Sequence, residues 1–185
     1  MNIVFADTET TGLLKPSPAR LATQPSIIEL YACKVDENFN MLGEFSTFIR
    51  VDQELEPIIT KITGITDEML MDQPYFAEIY PGFAKFMTGT DMLVAHNVSF
   101  DAGMFRVDLE RIGMLLQFPW PRHQLCTVEQ SMSIKGRRLK LDELHEIAVG
   151  RPMENAHRAR DDVHAMIRSF IWLVQQGLVN LEDYG

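Results

Sequence analysis

Asp7 and Glu9 stand at the end of a short apolar run, Ile3 to Ala6, in the opening stretch MNIVFADTETTG. A two-residue spacing in an extended strand puts both carboxylates on one face, which is also the face of Ile3 and Phe5. Anionic groups held close raise each other's pKa unless a cation intervenes. The simplest such cation is a hard divalent metal, which takes oxygen ligands and leaves positions open for phosphate oxygens. Taken alone, a D-x-E is more simply read as an edge strand whose acids point into water. The rest of the chain has to decide between the two.

Three further residues bear on that choice. Asp101 falls in the first turn of an expected helix, just past HNVSF. A helix dipole favours an acid there, and the end of a central strand is also where open sheets place functional groups, so both readings stand. His157 and Asp162 lie in NAHRARDDVHAM. On one continuous helix two groups five apart diverge by about 140°, so they meet only if His157 precedes the helix proper. Asp162 is one turn ahead of Met166 and two ahead of Phe170, on an apolar stripe where an acid wants a cation. Asp161 aligns with His164, Ala165 and Arg168 on the wetter side and is expected to be solvated. His157 alone reads as structural; beside a metal-bound phosphate, its ordinary pKa of about 6.5 suits it to take a proton from water.

These groups need a scaffold, and the apolar pattern supplies one. Ile27 to Val35 and Leu42 to Val51 read as second and third strands joined by the polar turn Asp36 to Asn40, making an antiparallel meander with the first. Between strands one and two, LLKPSPARLATQPS carries prolines at 16, 18 and 25 and must be a loop. Pro57 starts a short helix ended by Gly64, Thr66 starts another, and Phe76 to Met87 is amphipathic despite Pro81. Met92 to Ala95 is a buried fourth strand, followed by a helix capped by Ser99 and running to about Ile112. Leu125 to Thr127 reads as a short fifth strand, followed by a helix to about Ile134, the basic turn KGRRLK, a helix from Leu141 to Gly150, and a last helix from about Arg158 to Gln176. Strands concentrated early and helices late indicate a mixed sheet with helices packed against it.

The 185 residues suit a single domain spanning 1–185, and neither a polymerase domain nor a long partner-binding tail is expected after the last helix. A net charge of −9 argues against a protein that coats long nucleic acid by charge alone. It leaves room for a site that holds phosphate through metal, since a divalent pair brings about +4 to a cluster of four carboxylates. Cys33 and Cys126 belong to no C-x-x-C and read as buried thiols. The sequence has neither a signal-peptide pattern nor a bilayer-length apolar run, so a cytoplasmic location is expected. Arg137, Arg138 and Lys140 are expected to add modestly to nucleic-acid affinity.

DTETTG at Asp7 to Gly12, GITDEML at Gly64 to Leu70, VAHNVSFD at Val94 to Asp101 and HRARDD at His157 to Asp162 occur together in the order that resembles the DEDDh branch of 3′-to-5′ exonucleases, the family of the bacterial proofreading subunit. The resemblance implies an α/β, ribonuclease H-like fold with a central mixed five-stranded sheet flanked by helices. It implies a phosphodiester hydrolase with two Mg2+, replaceable by Mn2+, held by Asp7, Glu9, Asp101 and Asp162, with His157 as general base. The implied substrate is a 3′ end, mainly of single-stranded DNA, released as nucleoside 5′-monophosphates. Thr10 and Thr11 would meet the terminal nucleotide, with Ile62, Thr63, His96 and Phe100 around its base and sugar. Many relatives carry histidine where this chain has Thr63, and its Leu13 to Gln24 loop is longer than usual. The alternatives are an exoribonuclease trimming RNA 3′ ends and an interaction subunit that binds a polymerase or repair partner.

Overall fold

The computed structural model describes residues 1–153 and 158–184. Five strands form one sheet in the order β3-β2-β1-β4-β5. β1 (Ile3–Thr10) pairs antiparallel with β2 (Ile27–Val35), which pairs antiparallel with β3 (Met41–Phe48). On its other side β1 runs parallel to β4 (Met92–Ala95), and β4 runs parallel to β5 (His123–Cys126). The sheet is therefore mixed, five-stranded and flanked by helices, the ribonuclease H-like α/β architecture expected from the motifs.

Alternation along β1 divides the core. Val4 and Ala6, with Leu30, Ala32 and Leu93, pack under α3 (Phe76–Met87) and α4 (Val98–Arg111), where Phe83 and Phe105 are fully buried. Ile3 and Phe5, with Tyr31, Cys33 and Val94, face the opposite way, onto α6 (Leu141–Val149), which follows the short α5 (Thr127–Lys135), and α7 (Ala159–Gln175). Phe5 meets Phe170 edge-on, ring centroids 5.2 Å apart. At about 1.5–3 kcal/mol for each fully buried side chain, Phe5, Val163, Met166 and Phe170 fasten α7 to the strand. That apolar seam offsets the cost of ending it in carboxylates. A smaller cluster of Ile28, Leu55, Ile65 and Leu70 seats α1 (Pro57–Thr63) and α2 (Asp67–Leu70).

Local signals set most boundaries. Pro57 opens α1 and Gly64 closes it at φ +72°, a conformation costly for residues with a Cβ. Thr66 caps α2 by accepting from the Met69 amide. Pro81 lies on the exposed side of α3, which runs through without a break. Three expectations are corrected. The cap of α4 is Asn97, at φ +86°, and not Ser99, whose hydroxyl donates to the Asn97 side chain at 2.9 Å. Asn tolerates the left-handed turn that takes the chain directly from β4 into the helix. β3 ends at Phe48 rather than Val51, because the Arg50 amide donates instead to Pro74 O at 2.9 Å. The Asp161 side of α7 is not simply wet: Ala165 is fully buried and Arg168 donates to His145 of α6 at 3.2 Å.

Both predicted cysteine thiols are buried and free. Among the described residues no helix is long and apolar enough to cross a membrane.

Candidate active site

The pairing of β1 with β4 ends at Phe5↔Val94, while its pairing with β2 continues to Thr10. The last part of β1 thus projects beyond β4, and Asp7 and Glu9 lie on this projection. A bulge at Glu9/Thr10, which passes over Ile28, bends the strand there. Being odd-numbered, Asp7 and Glu9 share the face of Ile3 and Phe5, on which α7 packs. Asp162 enters from the first turn of that helix, one turn before buried Met166. Carboxylate oxygens of Asp7, Glu9 and Asp162 lie within 4.8 Å of one another, all three half-buried.

Asp101 arrives from the other layer. Its helix, α4, packs on the opposite side of the sheet, and the side chain, only 2% exposed, reaches the projecting strand round the end of β4. Its Oδ1 accepts the Thr8 amide at 3.1 Å and the Thr8 hydroxyl at 2.8 Å. Asp101 is therefore outside the tight set of three, yet its charge acts on both Asp7 and Glu9.

Crowding shows in the titration of these groups. Burial first, then the charges of Asp101, Asp162, Glu9 and Glu29, hold Asp7 well above the usual carboxylate range. Burial, with Asp162, Glu29 and Asp101, raises Glu9 to about 8, opposed by Arg158. Burial raises Asp101 to about 7 against the hydrogen bonds from Thr8. A site that holds this much negative charge with so little compensation suits a hard divalent cation, and three clustered carboxylates supply the oxygen donors such an ion prefers.

The remaining predicted site residues are scattered. His157 lies outside the described residues. Thr10 spends its hydroxyl on Gly12 O at 2.7 Å, and the Thr11 amide donates to Ser26 O at 2.9 Å while its hydroxyl accepts from the Ser26 amide. Those groups close the base of the Leu13 to Gln24 loop. Ile62 is 49% exposed, so it is not core. Thr63 is buried, donating to Ile59 O and accepting from the Ile65 amide, so its hydroxyl finishes α1. Phe100 is partly buried against the α4 core. His96 contacts Thr127 Oγ1 at 2.8 Å, and burial pushes it down to about 4, which keeps it neutral. Together with Asp162, Leu139 and Met153 it lines a cavity of about 460 Å³. In the basic turn, Arg137 is forked onto Glu143 at 2.6 and 3.0 Å.

One pair escaped the reading of the sequence. Glu29 sits directly opposite Glu9 in the strand register and is 6% exposed, and Arg158, at the start of α7, donates to its Oε1 at 3.2 Å. The available signal was an acid inside the apolar run IIELYA.

The exonuclease family matches residues 4–170. The chain is 33% identical over 172 residues to the DNA polymerase III subunit epsilon of Treponema pallidum (strain Nichols), covering 91% of this chain and 74% of that protein. It is 31% identical over 176 residues to a DNA polymerase III PolC-type protein of Caldanaerobacter subterraneus subsp. tengcongensis, covering 94% of this chain but only 12% of that protein. Among solved structures, exonuclease X in complex with 5′ overhanging duplex DNA shares the fold with a TM-score of 0.68 at 23% identity, over 98% of this chain and 96% of that one. The nuclease domain of 3′hExo, a DEDDh family member bound to rAMP, does so with a TM-score of 0.76 at 16% identity, over 96% and 93%. With the family match running from β1 into α7 and three acids of its motifs gathered at the end of β1, this protein belongs to the exonuclease family.

Proposed function

We propose that the protein hydrolyses the terminal phosphodiester at 3′ ends of mainly single-stranded DNA, releasing nucleoside 5′-monophosphates. The observation that carries this reading is the convergence of Asp7, Glu9 and Asp162 within 4.8 Å on the projecting end of β1. Asp7, Glu9, Asp101 and Asp162 would hold two Mg2+ or Mn2+ ions, which when bound polarise the phosphate, acidify the attacking water and stabilise the departing 3′ oxygen. Thr8 fixes Asp101 through its amide and hydroxyl, so that acid is oriented before any substrate arrives. His157, two residues before the start of α7 in sequence, takes the proton of the attacking water. The water oxygen bonds to phosphorus, the P–O3′ bond breaks, and the released 3′ oxygen regains a proton. Similarity to an epsilon subunit and to a segment of PolC-type polymerases supports a place beside a replicative polymerase.

The test is degradation of matched 5′-labelled and 3′-labelled DNA and RNA oligonucleotides with magnesium, manganese or chelator. We expect 5′-labelled single-stranded DNA to shorten stepwise with metal and to remain intact with chelator. Preferential shortening of RNA would assign the exoribonuclease reading, and metal-loaded protein that cuts neither polymer would overturn both.

A further inference from the structure

Glu29 is an odd acid to find where it is. It stands opposite Glu9 on β2, so the register sets two carboxylates side by side on the face that already carries Asp7 and Asp162. Like charges directly opposite in a sheet are unfavourable, and Glu29 is more than nine-tenths buried. It adds to the repulsion felt by both Asp7 and Glu9. Its Oε1 is met by Arg158 Nη2 at 3.2 Å, while its Oε2 is buried with no hydrogen-bond partner among the described residues. The full Arg–carboxylate fork is therefore not made.

Arg158 is held on a second side as well, its guanidinium 5.5 Å from the ring centroid of Phe48 at the end of β3. Its side chain is nevertheless 44% exposed, and Glu29 is its one hydrogen-bonding partner among the described residues. A salt bridge serving only to neutralise Glu29 would be expected to close both ends of the fork. Instead a buried acid and an aromatic ring hold a planar cation with much of its donor edge open, just beyond Glu9. Guanidinium groups presented in this way suit a phosphate oxygen. Its anchor Glu29 lies on β2, one strand out from Asp7 and Glu9 and directly opposite Glu9 in the register, so the guanidinium is held at the edge of the acid cluster.

We propose that Arg158 binds the backbone phosphate adjacent, on the 5′ side, to the one being cleaved, and that Glu29 is its positioning residue. The pair would give the enzyme a second phosphate subsite and make a chain end a better substrate than an isolated dinucleotide. This rests on the exonuclease reading above.

The experiment compares TpT with TpTpT, or the uridylate pair if RNA is the polymer cut; only the longer compound has a phosphate on the 5′ side of its terminal diester. First-cleavage kinetics are measured for the parent, Arg158→Ala, Arg158→Lys, Glu29→Gln and the Arg158→Ala/Glu29→Gln double variant. We expect the parent to prefer TpTpT. Arg158→Ala should reduce that preference about tenfold through KM, the loss of one charged hydrogen-bonding contact, and Arg158→Lys should keep part of it. Glu29→Gln should weaken the preference too, and the double variant should be no worse than Arg158→Ala. Arg158→Ala and Arg158→Lys that lower kcat/KM equally for both compounds, or single-variant effects that simply add, would overturn the proposal. A parent that cleaves neither compound nor any oligonucleotide overturns the exonuclease reading itself; a parent active on both but without preference overturns only the subsite.

Discussion

Asp101 and Asp108 are seven residues apart on α4, hence on the same face of the helix, and both are almost completely buried. Burial raises the pKa of each. What differs is the company. Asp108 accepts the Ile27 amide at 3.0 Å and is paired with Arg111 at 2.5 Å, and Arg111 goes on to bind Leu21 O and Gln24 O of the long loop and Pro25 O just past it. Asp101 receives the two hydrogen bonds from Thr8, and the charges nearest to it include Asp7 and Glu9. One aspartate is neutralised from within the fold and the other faces more negative charge. Burial alone therefore does not distinguish a structural acid from a functional one; the presence of an internal cation does.

The largest expected effect separates the two by substitution. Asp101→Asn keeps the shape and an acceptor for Thr8 but removes a proposed metal ligand, so nuclease turnover should fall at least about 100-fold, an effect larger than the loss of one oriented outer contact. Its chelated form should be no less stable than the parent, because a charge is removed from a crowded site. Asp108→Asn should do the reverse, costing about 1–3 kcal/mol of stability while turnover at saturating magnesium stays within about threefold. Urea unfolding in chelator and oligonucleotide degradation read both quantities. Equal loss of turnover in the two variants would end the distinction.

A second, intermediate effect uses pH. Glu9 and Asp101 have folded pKa values near 8 and 7, raised from 4.5 and 3.8, so each contributes stability that is present at low pH and lost as pH rises through the folded value. His96, lowered from 6.5 to about 4, works in the opposite sense, its contribution being lost as pH falls below 6.5. Above pH 6.5 the histidine term is flat and the carboxylates dominate. The thermal midpoint of chelated protein should therefore fall between pH 6.5 and 8.5, and magnesium should raise it more at the upper end. A midpoint that holds level in chelator, or a magnesium shift that is the same at both ends, would contradict the crowded-carboxylate account.

Much of this arrangement was legible in the amino-acid order. Ile27–Val35 and Met92–Ala95 are apolar runs bounded by turn residues, and nothing else competes for them. Asp7, Glu9 and Asp162 could be brought together because strand and helix periodicities each specify a face. What could not be read depended on contacts between distant segments. Ser99 has the residue type of a cap, but the tight exit from β4 demanded a left-handed residue and Asn97 took that place. Thr63 looked available to a ligand until its hydroxyl was seen closing α1. Glu29 carries no local signal beyond an acid in an apolar run, since its importance comes from lying opposite Glu9 across two strands. The approach of Asp101 from the opposite layer likewise depends on the pairing of β4 with β1 ending at Phe5↔Val94, a register set between distant segments.

The smallest expected effect probes the ground between the two aspartates. Gly103 sits on α4 between them, and a Cβ added there would come within 2.6 Å of Leu14 Cδ1, the end of a flexible side chain from the long loop. Gly103→Ala gains about 1 kcal/mol of helix propensity but forces Leu14 aside. These terms are similar in size, so global stability should shift by less than about 1 kcal/mol in either direction. The local consequence differs, because the loop is fastened to α4 at two places, Leu14 over Gly103 and the loop carbonyls on Arg111. Loosening the first while the Asp108–Arg111 anchor remains should expose the Arg20–Leu21 bond to trypsin a few times faster than in the parent, without altering the Thr8–Asp101 contact or turnover. If turnover drops with loop cleavage, the two ends of α4 are coupled through this loop, and the separation between a structural and a functional aspartate would have to be redrawn around Leu14.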